Sequence, residues 1–184
     1  MGIIRKDFKY KLIKNFLTPE ELSIGVSFYN LEHKKNITSF DTRQNNNGDS
    51  FFGGDSFTET FMTRKLKKMQ EETGLELLPT YGYTRVYTFN AELKKHKDRP
   101  SCEISTTVMW DSDGTEWPIY MDGIPIQMQK GDAVIYLGME IEHWRENFKG
   151  DFHIQSFLHY VDKKGPYSEY EWDKKDARHN ALVI

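Results

Sequence analysis

Cysteine is almost missing from this chain, because Cys102 is the only one among 184 residues. A single thiol cannot close an intramolecular disulfide, which excludes a small disulfide-stapled scaffold and leads us to expect a reducing, cytoplasmic setting. An excess of positive charge is missing as well: 25 Lys and Arg residues stand against 28 Asp and Glu, a formal net charge of -3. We therefore expect no nucleic-acid partner, since such proteins normally need a basic face.

Long apolar runs are also lacking. No uninterrupted hydrophobic stretch approaches the roughly 20 residues of a membrane-spanning helix. Residues 1–16 (MGIIRKDFKYKLIKNF) scatter basic residues where a signal peptide would need an apolar segment, so no membrane partner is expected. With 38% hydrophobic and 29% charged residues, the composition is that of a soluble globular protein, and the length suits a single domain over 1–184.

The clearest helix signals lie in residues 1–74. Thr18 and Glu21 have the spacing of a capping box at the start of TPEELSIGVSFYN. Ser56 and Glu59 repeat that spacing before FTETFMTRKLKKMQEET. Each pair precedes apolar residues that recur at helical spacing. The sequence therefore predicts an N-terminal helical region.

Two polar segments complete the organisation of the chain. Residues 42–56 (TRQNNNGDSFFGGDS) are rich in Asn and Gly, which predicts a long loop. Long polar loops beside rigid cores often close over a site, so we interpret this loop as a candidate lid. Residues 163–184 are predicted to form a polar C-terminal tail.

Residues 75–162 have a different composition from residues 1–74. Short runs rich in β-branched and aromatic residues follow one another, separated by Gly, Asp, Asn and Pro: TYGYTRVYTFN, CEISTTVMW, PIYM, GIPIQMQ, DAVIYLG and HIQSFLHYV. No helical stretch lies between them, which argues against βαβ units and predicts an antiparallel sandwich or barrel. The chain is thus predicted to be an α+β protein in which N-terminal helices pack against a β core.

His96 and Asp98 open the segment HKDRPSCEIS with the spacing of two metal ligands, because residues i and i+2 of a strand project to the same side. A third ligand must come from another strand. His143 is the best candidate, since it follows the turn and strand of GDAVIYLG and the intervening chain has room for about four strands. Two imidazoles and one carboxylate can hold Fe(II) with open positions for co-substrate and oxygen, or Zn²⁺ with a water for hydrolysis.

With this third histidine, the run over 75–162 resembles the small 2-oxoglutarate- and Fe(II)-dependent dioxygenases, in their prolyl-4-hydroxylase-like branch. Five features come in the order of that family: a tyrosine on the strand before the His-x-Asp pair, the pair itself, a Gly-Asp turn before a strand, the distal histidine and a closing strand. The segment NFLTPEEL is similar to the helix that precedes the core in this family. The resemblance implies a double-stranded β-helix, a jelly-roll and cupin-like core with the metal at its open end.

The resemblance also implies the chemistry. Fe(II) would be the cofactor, 2-oxoglutarate the co-substrate and O2 the oxidant, with ascorbate a further candidate. An enzyme of this kind would hydroxylate a C–H bond of a peptidyl residue, as prolyl hydroxylases do, or of a small molecule, and would release succinate and CO2. The sequence does not determine the substrate or the oligomeric state.

Two functions of other classes stay open at this stage. One is a zinc-dependent hydrolase or isomerase on a cupin-like barrel, with Glu103 or Glu142 as the general base. The other is a non-catalytic jelly-roll binding module in which His96 and Asp98 only cap a strand.

Carried onto this sequence, the family motif gives His96, Asp98 and His143 as the iron ligands and Tyr87 as a residue that contacts 2-oxoglutarate. The family commonly places an Arg or Lys on the closing strand to bind the distal carboxylate of the co-substrate. In this sequence the corresponding position on the closing strand is His153, so the chain departs from the family there.

Arg145 is predicted to bind that carboxylate instead, because on a continuing strand it shares the face of His143, and its guanidinium suits a carboxylate. His153 and Gln155 are expected to be its neighbours or substitutes. An ion pair with Glu142 or Glu146 is the alternative role for Arg145.

The remaining candidates have less specific roles. Ser105, with Thr107 on the same face of its strand, is predicted to hydrogen-bond the co-substrate. Arg99 is predicted to pair with Glu103 or Asp98 and to orient that ligand. Further candidates are Arg85 and Tyr83, which share the alternation of Tyr87, Cys102 as a buried packing residue, and Trp117, Tyr120, Trp144 and His159 at the substrate mouth.

Overall fold

A computed structural model of the chain describes residues 8–35, 39–40, 50–53 and 56–173, and for the two short segments it describes the backbone alone. These residues contain the helices α1 (Pro19–Lys34) and α2 (Ser56–Thr73). They also contain the strands β1 (Tyr10–Ile13), β2 (Ser39–Phe40), β3 (Ser50–Gly53), β4 (Leu77–Thr88), β5 (Leu93–His96), β6 (Ile104–Ser112), β7 (Ile119–Met121), β8 (Ile124–Ile126), β9 (Ala133–Leu137), β10 (His143–Arg145) and β11 (Phe152–Asp162).

The strands of the described residues form two antiparallel sheets. The larger sheet has the order β1-β9-β6-β11-β4-β3-β2, and the smaller sheet has the order β5-β10-β7-β8. Together they form the double-stranded β-helix that the resemblance implied, with two helices beside it. The α+β prediction is confirmed, and β4, β6, β9 and β11 overlap the predicted runs closely.

The central strands of the larger sheet are buried on both faces. Strands β6, β9 and β11 have almost no exposed position, because α1 contacts β6 and α2 contacts β4 and β11 on one face while the other face lines the interior of the double-stranded β-helix. Helix α1 comes very close to the sheet at Gly25. A Cβ atom there would stand 2.0 Å from Cζ3 of Trp110, so only glycine fits this contact.

Helix α1 begins at the predicted capping box. The Thr18 hydroxyl accepts a hydrogen bond from the Glu21 backbone N–H at 3.2 Å, and the Glu21 carboxylate accepts one from the Thr18 N–H at 2.9 Å. Lys65 of α2 donates to the same carboxylate at 2.6 Å and to the carbonyl of Phe16 at 2.8 Å. The helix start is therefore tied to the second helix as well as to its own first turn.

A buried polar network joins both helices to the larger sheet. The Tyr29 hydroxyl lies 2.7 Å from the Thr58 hydroxyl of α2 and 3.3 Å from the Ser156 hydroxyl of β11. The Thr84 hydroxyl lies 3.0 Å from that of Thr58, and the Trp110 indole N–H donates to Ser156 at 2.6 Å. Because these groups are buried, their mutual hydrogen bonds satisfy them and fix where the helices sit.

Three strands lie within residues 1–74, for which the sequence predicted a helical region with a long polar loop at 42–56. Strand β1 pairs with β9, with Tyr10 opposite Tyr136. Strand β3 falls inside the predicted loop 42–56 and pairs with β4, with Ser50 opposite Val86, and α2 already begins at the last residue of that loop. These short segments become strands because they add to exposed edges of the larger sheet, which local sequence does not reveal.

Parts of two predicted segments lie outside the described residues. Residues 41–49 and 54–55 are among them, so the lid stays a prediction. Of the predicted tail over 163–184, residues 163–173 form turns around a short 3-10 helix (Ser168–Tyr170). Neither described helix combines the length and apolar character that crossing a bilayer requires.

Candidate metal centre

The three predicted ligands meet at one end of the smaller sheet. His96 ends β5, His143 begins β10, and the two residues are direct partners in the β5–β10 pair. The Nε2 atoms of both histidines lie 3.6 Å from Oδ1 of Asp98. One ligand atom from each residue falls within 4.8 Å of the other two. The structure therefore brings His96, Asp98 and His143 together as the sequence predicted.

Asp98 reaches this position differently from the prediction. It does not lie on the strand with His96, because β5 ends at His96. Its backbone N–H instead donates to the carbonyl of Gly138 at 2.8 Å, and the N–H of Gly138 donates to the carbonyl of Glu103 at 3.0 Å. Contact with the segment that follows β9 holds Asp98 beside the histidines, whereas the prediction relied on strand alternation.

The two imidazoles are oriented for ligation by hydrogen bonds to the backbone. Nδ1 of His143 donates to the carbonyl of Ile141 at 3.0 Å, and Nδ1 of His96 donates to that of Lys94 at 2.6 Å. With the hydrogen on Nδ1, the lone pair of each ring is on Nε2, the nitrogen nearest Asp98. Metal-binding histidines commonly have this arrangement. The donor set therefore fits a divalent cation.

Burial and charge give Asp98 and His143 the protonation states of ligands. Burial alone would raise the pKa of Asp98, but the adjacent His96 and His143 hold that pKa below its usual value. Burial lowers the pKa of His143, and the neighbouring His96 lowers it further. The carboxylate is therefore anionic and His143 neutral at neutral pH.

Ser105 contacts Asp98 directly. Its hydroxyl lies 2.8 Å from Oδ2 of Asp98 and 2.9 Å from Nδ1 of His159. A second set of ligand atoms, from Asp98, Cys102 and His159, also falls within 4.8 Å. Sequence reasoning missed this cluster, because His159 reaches it only through the pairing of β11 with β6.

A buried cationic cluster lies further inside the double-stranded β-helix. Arg145 is 3% exposed; its Nη2 donates to Oε1 of Gln155 at 2.7 Å and its Nη1 donates to the carbonyl of Trp117. The guanidinium also lies over the Trp117 ring, 4.6 Å from the centroid. Nε2 of His153 is 2.9 Å from the same Gln155 oxygen. The predicted neighbours Arg145, His153 and Gln155 are therefore in contact.

The charges in this cluster differ between its two basic residues. Burial lowers the pKa of Arg145 to about 10, so the guanidinium stays charged at neutral pH. Burial, followed by the charge of Arg145, lowers the pKa of His153 to about 3, so the imidazole is neutral. Among the described residues, Nδ1 of His153 has no hydrogen-bond partner.

The two glutamates that were the alternative partners of Arg145 contact other groups. Glu142 pairs with Lys95 at 3.6 Å, and the Glu146 carboxylate accepts a hydrogen bond from the Trp144 indole at 3.0 Å.

Tyr87 adjoins the cationic cluster. Its side chain is fully buried, with its ring 4.9 Å from that of Trp117 and 6.5 Å from that of His153. Arg85, two residues earlier on β4, is also buried and lies 5.7 Å from the ring of Tyr83. The alternation on β4 thus places these side chains as predicted.

Arg99 does not pair with either predicted partner. Its guanidinium bonds the Asp173 carboxylate and lies over the Tyr81 ring, 4.9 Å from the centroid. The Glu103 carboxylate instead accepts the backbone N–H of Asp162 at 2.8 Å. Arg99 turns towards the C-terminal segment, whose position the local sequence did not indicate.

The residues predicted for the substrate mouth separate into two groups. Trp117 and His159 are buried, at 4% and 2% exposed, so they line the interior. Tyr120 and Trp144 are half-buried and stack on each other on the smaller sheet, with centroids 5.0 Å apart. Cys102 is buried as predicted, and burial raises the pKa of its thiol to about 12, which disfavours a nucleophilic role.

The double-stranded β-helix of this chain is also the fold of several solved 2-oxoglutarate-dependent oxygenases. The epimerase SnoN from nogalamycin biosynthesis, a non-heme alpha-ketoglutarate-dependent enzyme, superposes with a TM-score of 0.71 at 8% identity, covering 84% of this chain and 78% of SnoN. A prolyl-4-hydroxylase from Pseudomonas putida gives 0.65 at 13% identity over 85% of this chain and 94% of its own.

A prolyl hydroxylase from Trichoplax adhaerens, solved with a fragment of the hypoxia inducible factor degradation domain, gives a TM-score of 0.67 at 12% identity over 86% of both chains. No family model and no curated protein matches the sequence. At such identities the likeness concerns the fold.

Proposed function

We propose that this protein is an Fe(II)- and 2-oxoglutarate-dependent dioxygenase that hydroxylates a C–H bond. The observation that carries the proposal is the meeting of His96, Asp98 and His143, with both imidazole Nε2 atoms 3.6 Å from one carboxylate oxygen. Two imidazoles and one carboxylate leave positions on iron for a co-substrate and oxygen. When bound, Fe(II) supplies the redox chemistry that couples conversion of 2-oxoglutarate to succinate and CO2 with hydroxylation of the substrate.

Arg145 is the residue we propose for the distal carboxylate of 2-oxoglutarate. Arg145 is buried and charged, and its guanidinium offers paired hydrogen-bond donors that suit a carboxylate. His153, at the position where relatives commonly carry Arg or Lys, is neutral because its pKa is about 3. Its Nε2–H donates to Oε1 of Gln155, so Nδ1 carries the lone pair and can only accept a hydrogen bond, which leaves Arg145 as the donor to a carboxylate. Tyr87 completes the proposed co-substrate site.

The side chains around the proposed co-substrate site exclude water. Trp117, Phe148 and Tyr87 pack against one another in a buried apolar cluster. In such surroundings the charge of Arg145 binds a carboxylate more strongly than it would in water.

The proposed substrate is a peptidyl residue or a small molecule. Prolyl hydroxylases share the fold, and one of them was solved with a peptide fragment, which supports a peptide. SnoN shares it too and was solved with a small molecule, nogalamycin RO. Tyr81 and Tyr83 are half-buried next to His159, with ring centroids 4.6 and 5.8 Å from its ring. Tyr83 stacks on Phe157 and Tyr81 lies under the Arg99 guanidinium, so these rings form one packed aromatic wall beside His159.

The contacts of the two glutamates favour the oxygenase over a zinc hydrolase. Glu103 and Glu142 were the candidate general bases, but Glu103 bonds a backbone N–H and Glu142 pairs with Lys95. A non-catalytic module would not require oriented imidazoles, an anionic carboxylate and a buried arginine in one interior.

Anaerobic titration with Fe(II) and 2-oxoglutarate tests the proposal. We expect a visible metal-to-ligand charge-transfer band, and succinate on admission of air. Both should be lost in His143→Ala and kept in His33→Ala, a variant of an exposed histidine on α1. Absence of the band and of succinate from the wild type would refute the dioxygenase, and Zn²⁺-dependent hydrolysis would support the second function. Screening peptides and small molecules for a gain of one oxygen atom then separates the two substrate classes.

A further inference from the structure

The two carboxylate oxygens of Asp98 have different surroundings. Oδ1 is the oxygen that lies 3.6 Å from Nε2 of His96 and of His143. Oδ2 lies 2.8 Å from Oγ of Ser105. The group that holds Oδ2 therefore decides how the carboxylate presents Oδ1 to the imidazoles.

The hydrogen of the Ser105 hydroxyl can be assigned from its neighbours. Oγ lies 2.8 Å from Oδ2 of Asp98, 2.9 Å from Nδ1 of His159 and 3.1 Å from the carbonyl oxygen of Cys102. A hydroxyl has one hydrogen, and the charged carboxylate is both the nearest and the strongest acceptor. Ser105 therefore donates to Asp98, and its oxygen accepts a hydrogen bond from Nδ1–H of His159.

His159 is itself fixed by the larger sheet. It stands directly opposite Ser105 in the β6–β11 pair. Its ring is buried and packs against Tyr81 with centroids 4.6 Å apart. Sheet pairing and ring packing together keep Nδ1 at the Ser105 oxygen, so the chain His159–Ser105–Asp98 is part of the rigid scaffold.

Gly138 allows Asp98 and Ser105 to meet. A Cβ at this glycine would stand 2.5 Å from Oδ2 of Asp98, 2.8 Å from Oγ of Ser105 and 2.2 Å from the carbonyl oxygen of Cys102. Any side chain at 138 would therefore displace this hydrogen bond. The carbonyl oxygen of Gly138 also accepts a hydrogen bond from the backbone N–H of Asp98. Both the backbone and the side chain of Asp98 are therefore held at this glycine.

We infer that Ser105 and His159 are positioning residues that hold Asp98 as a ligand through one oxygen only. The inference rests on the proposed metal centre and assigns Ser105 a role different from contact with the co-substrate. Because Ser105 holds Oδ2, Asp98 contributes Oδ1 alone and leaves coordination positions open for the co-substrate. Loss of a hydrogen bond that orients a metal ligand typically weakens metal binding about 10–100-fold.

Binding of Co(II) to the metal-free protein tests this role, by affinity and by the visible d–d spectrum that reports coordination. Ser105→Ala should weaken Co(II) binding about 10–100-fold and change the spectrum, because both carboxylate oxygens become free to bind. The matched control is Thr106→Val on the same strand, whose buried hydroxyl donates to Met69 Sδ at 3.0 Å and not to Asp98. It should bind Co(II) as the wild type does.

A second pair of variants keeps the test independent of how Ser105→Ala folds. His159→Asn retains an amide N–H near the place of Nδ1 and should keep most of the Co(II) affinity. His159→Leu fills similar space without a donor and should lose affinity and alter the spectrum. Wild-type affinity and spectrum in both Ser105→Ala and His159→Leu would overturn the positioning role alone. Failure of the wild type to bind Co(II) would overturn the metal centre and this inference with it.

Discussion

His96 and His143 stand directly opposite each other across β5 and β10, with imidazole centroids 4.3 Å apart. Each ring donates from Nδ1 to a carbonyl two residues earlier in its own chain segment, at 2.6 and 3.0 Å. The distance between the two imidazoles is thus fixed by strand pairing, and their orientation by local backbone contacts. A metal would meet a site whose two nitrogen ligands are already in place.

Metal binding should raise thermal stability in a way that depends on this pair. At a Co(II) concentration of 100 times the dissociation constant, linkage predicts a gain of about 2.7 kcal/mol. His143→Ala should lose most of the gain because one of three ligands is gone, and His33→Ala should keep it. Differential scanning calorimetry with and without Co(II) measures the effect. An equal gain in His143→Ala would place the metal elsewhere.

Arg145 is predicted to set the affinity for 2-oxoglutarate. Arg145→Met should weaken apparent binding about 10–100-fold, since hydrogen bonds to a charged group contribute roughly 1.5–3 kcal/mol. Arg145→Lys should weaken it less, because the charge stays while the paired donors are lost. His153→Gln is the comparison and should change affinity little. The measurement is the anaerobic charge-transfer titration, and a loss confined to His153→Gln would reassign the carboxylate site.

His153 should make the protein sensitive to acid. Its pKa is about 3 in the folded protein, owing to burial and to Arg145, and about 6.5 in the unfolded chain. At pH values above 6.5 the His153 imidazole is neutral in both the folded and the unfolded protein. As the pH falls below 6.5 the unfolded state binds a proton that the folded state does not, so the free energy of unfolding falls by about 1.4 kcal/mol per pH unit from this residue.

The variant His153→Gln isolates this effect. Urea unfolding between pH 7 and pH 4 should show a shallower loss of stability for His153→Gln than for the wild type. The exposed His33→Gln should follow the wild-type curve. Parallel curves for wild type and His153→Gln would show that His153 takes up a proton in the folded state.

Gly25 is predicted to be indispensable for helix packing. Alanine is normally favoured over glycine inside a helix by about 1 kcal/mol, but a methyl group here would overlap the Trp110 ring. Gly25→Ala should therefore destabilise the protein by about 1–3 kcal/mol, the usual cost of overpacking. Ile24→Ala, at a position that is 60% exposed, should change stability by less than about 0.5 kcal/mol. A stabilised Gly25→Ala in urea unfolding would contradict this packing.

Local patterns were enough for much of the fold. The capping box of Thr18 and Glu21, the strand runs after residue 75 and the buried Cys102 follow from residue chemistry and spacing that act over a few positions. The grouping of His96, Asp98 and His143 was also predicted from the sequence, because these residues have ligand types and an order that a jelly roll brings together.

Only the tertiary structure decided how those residues are held. Gly138 fixes Asp98, Ser105 bonds its second oxygen, and Arg99 turns to Asp173. The strand β1 likewise exists because it completes the edge beside β9. These contacts join residues distant in the chain, and their partners are chosen by sheet pairing and packing. Residue type and order in the chain therefore determined the candidate ligands, whereas the closed β-helix determined their geometry.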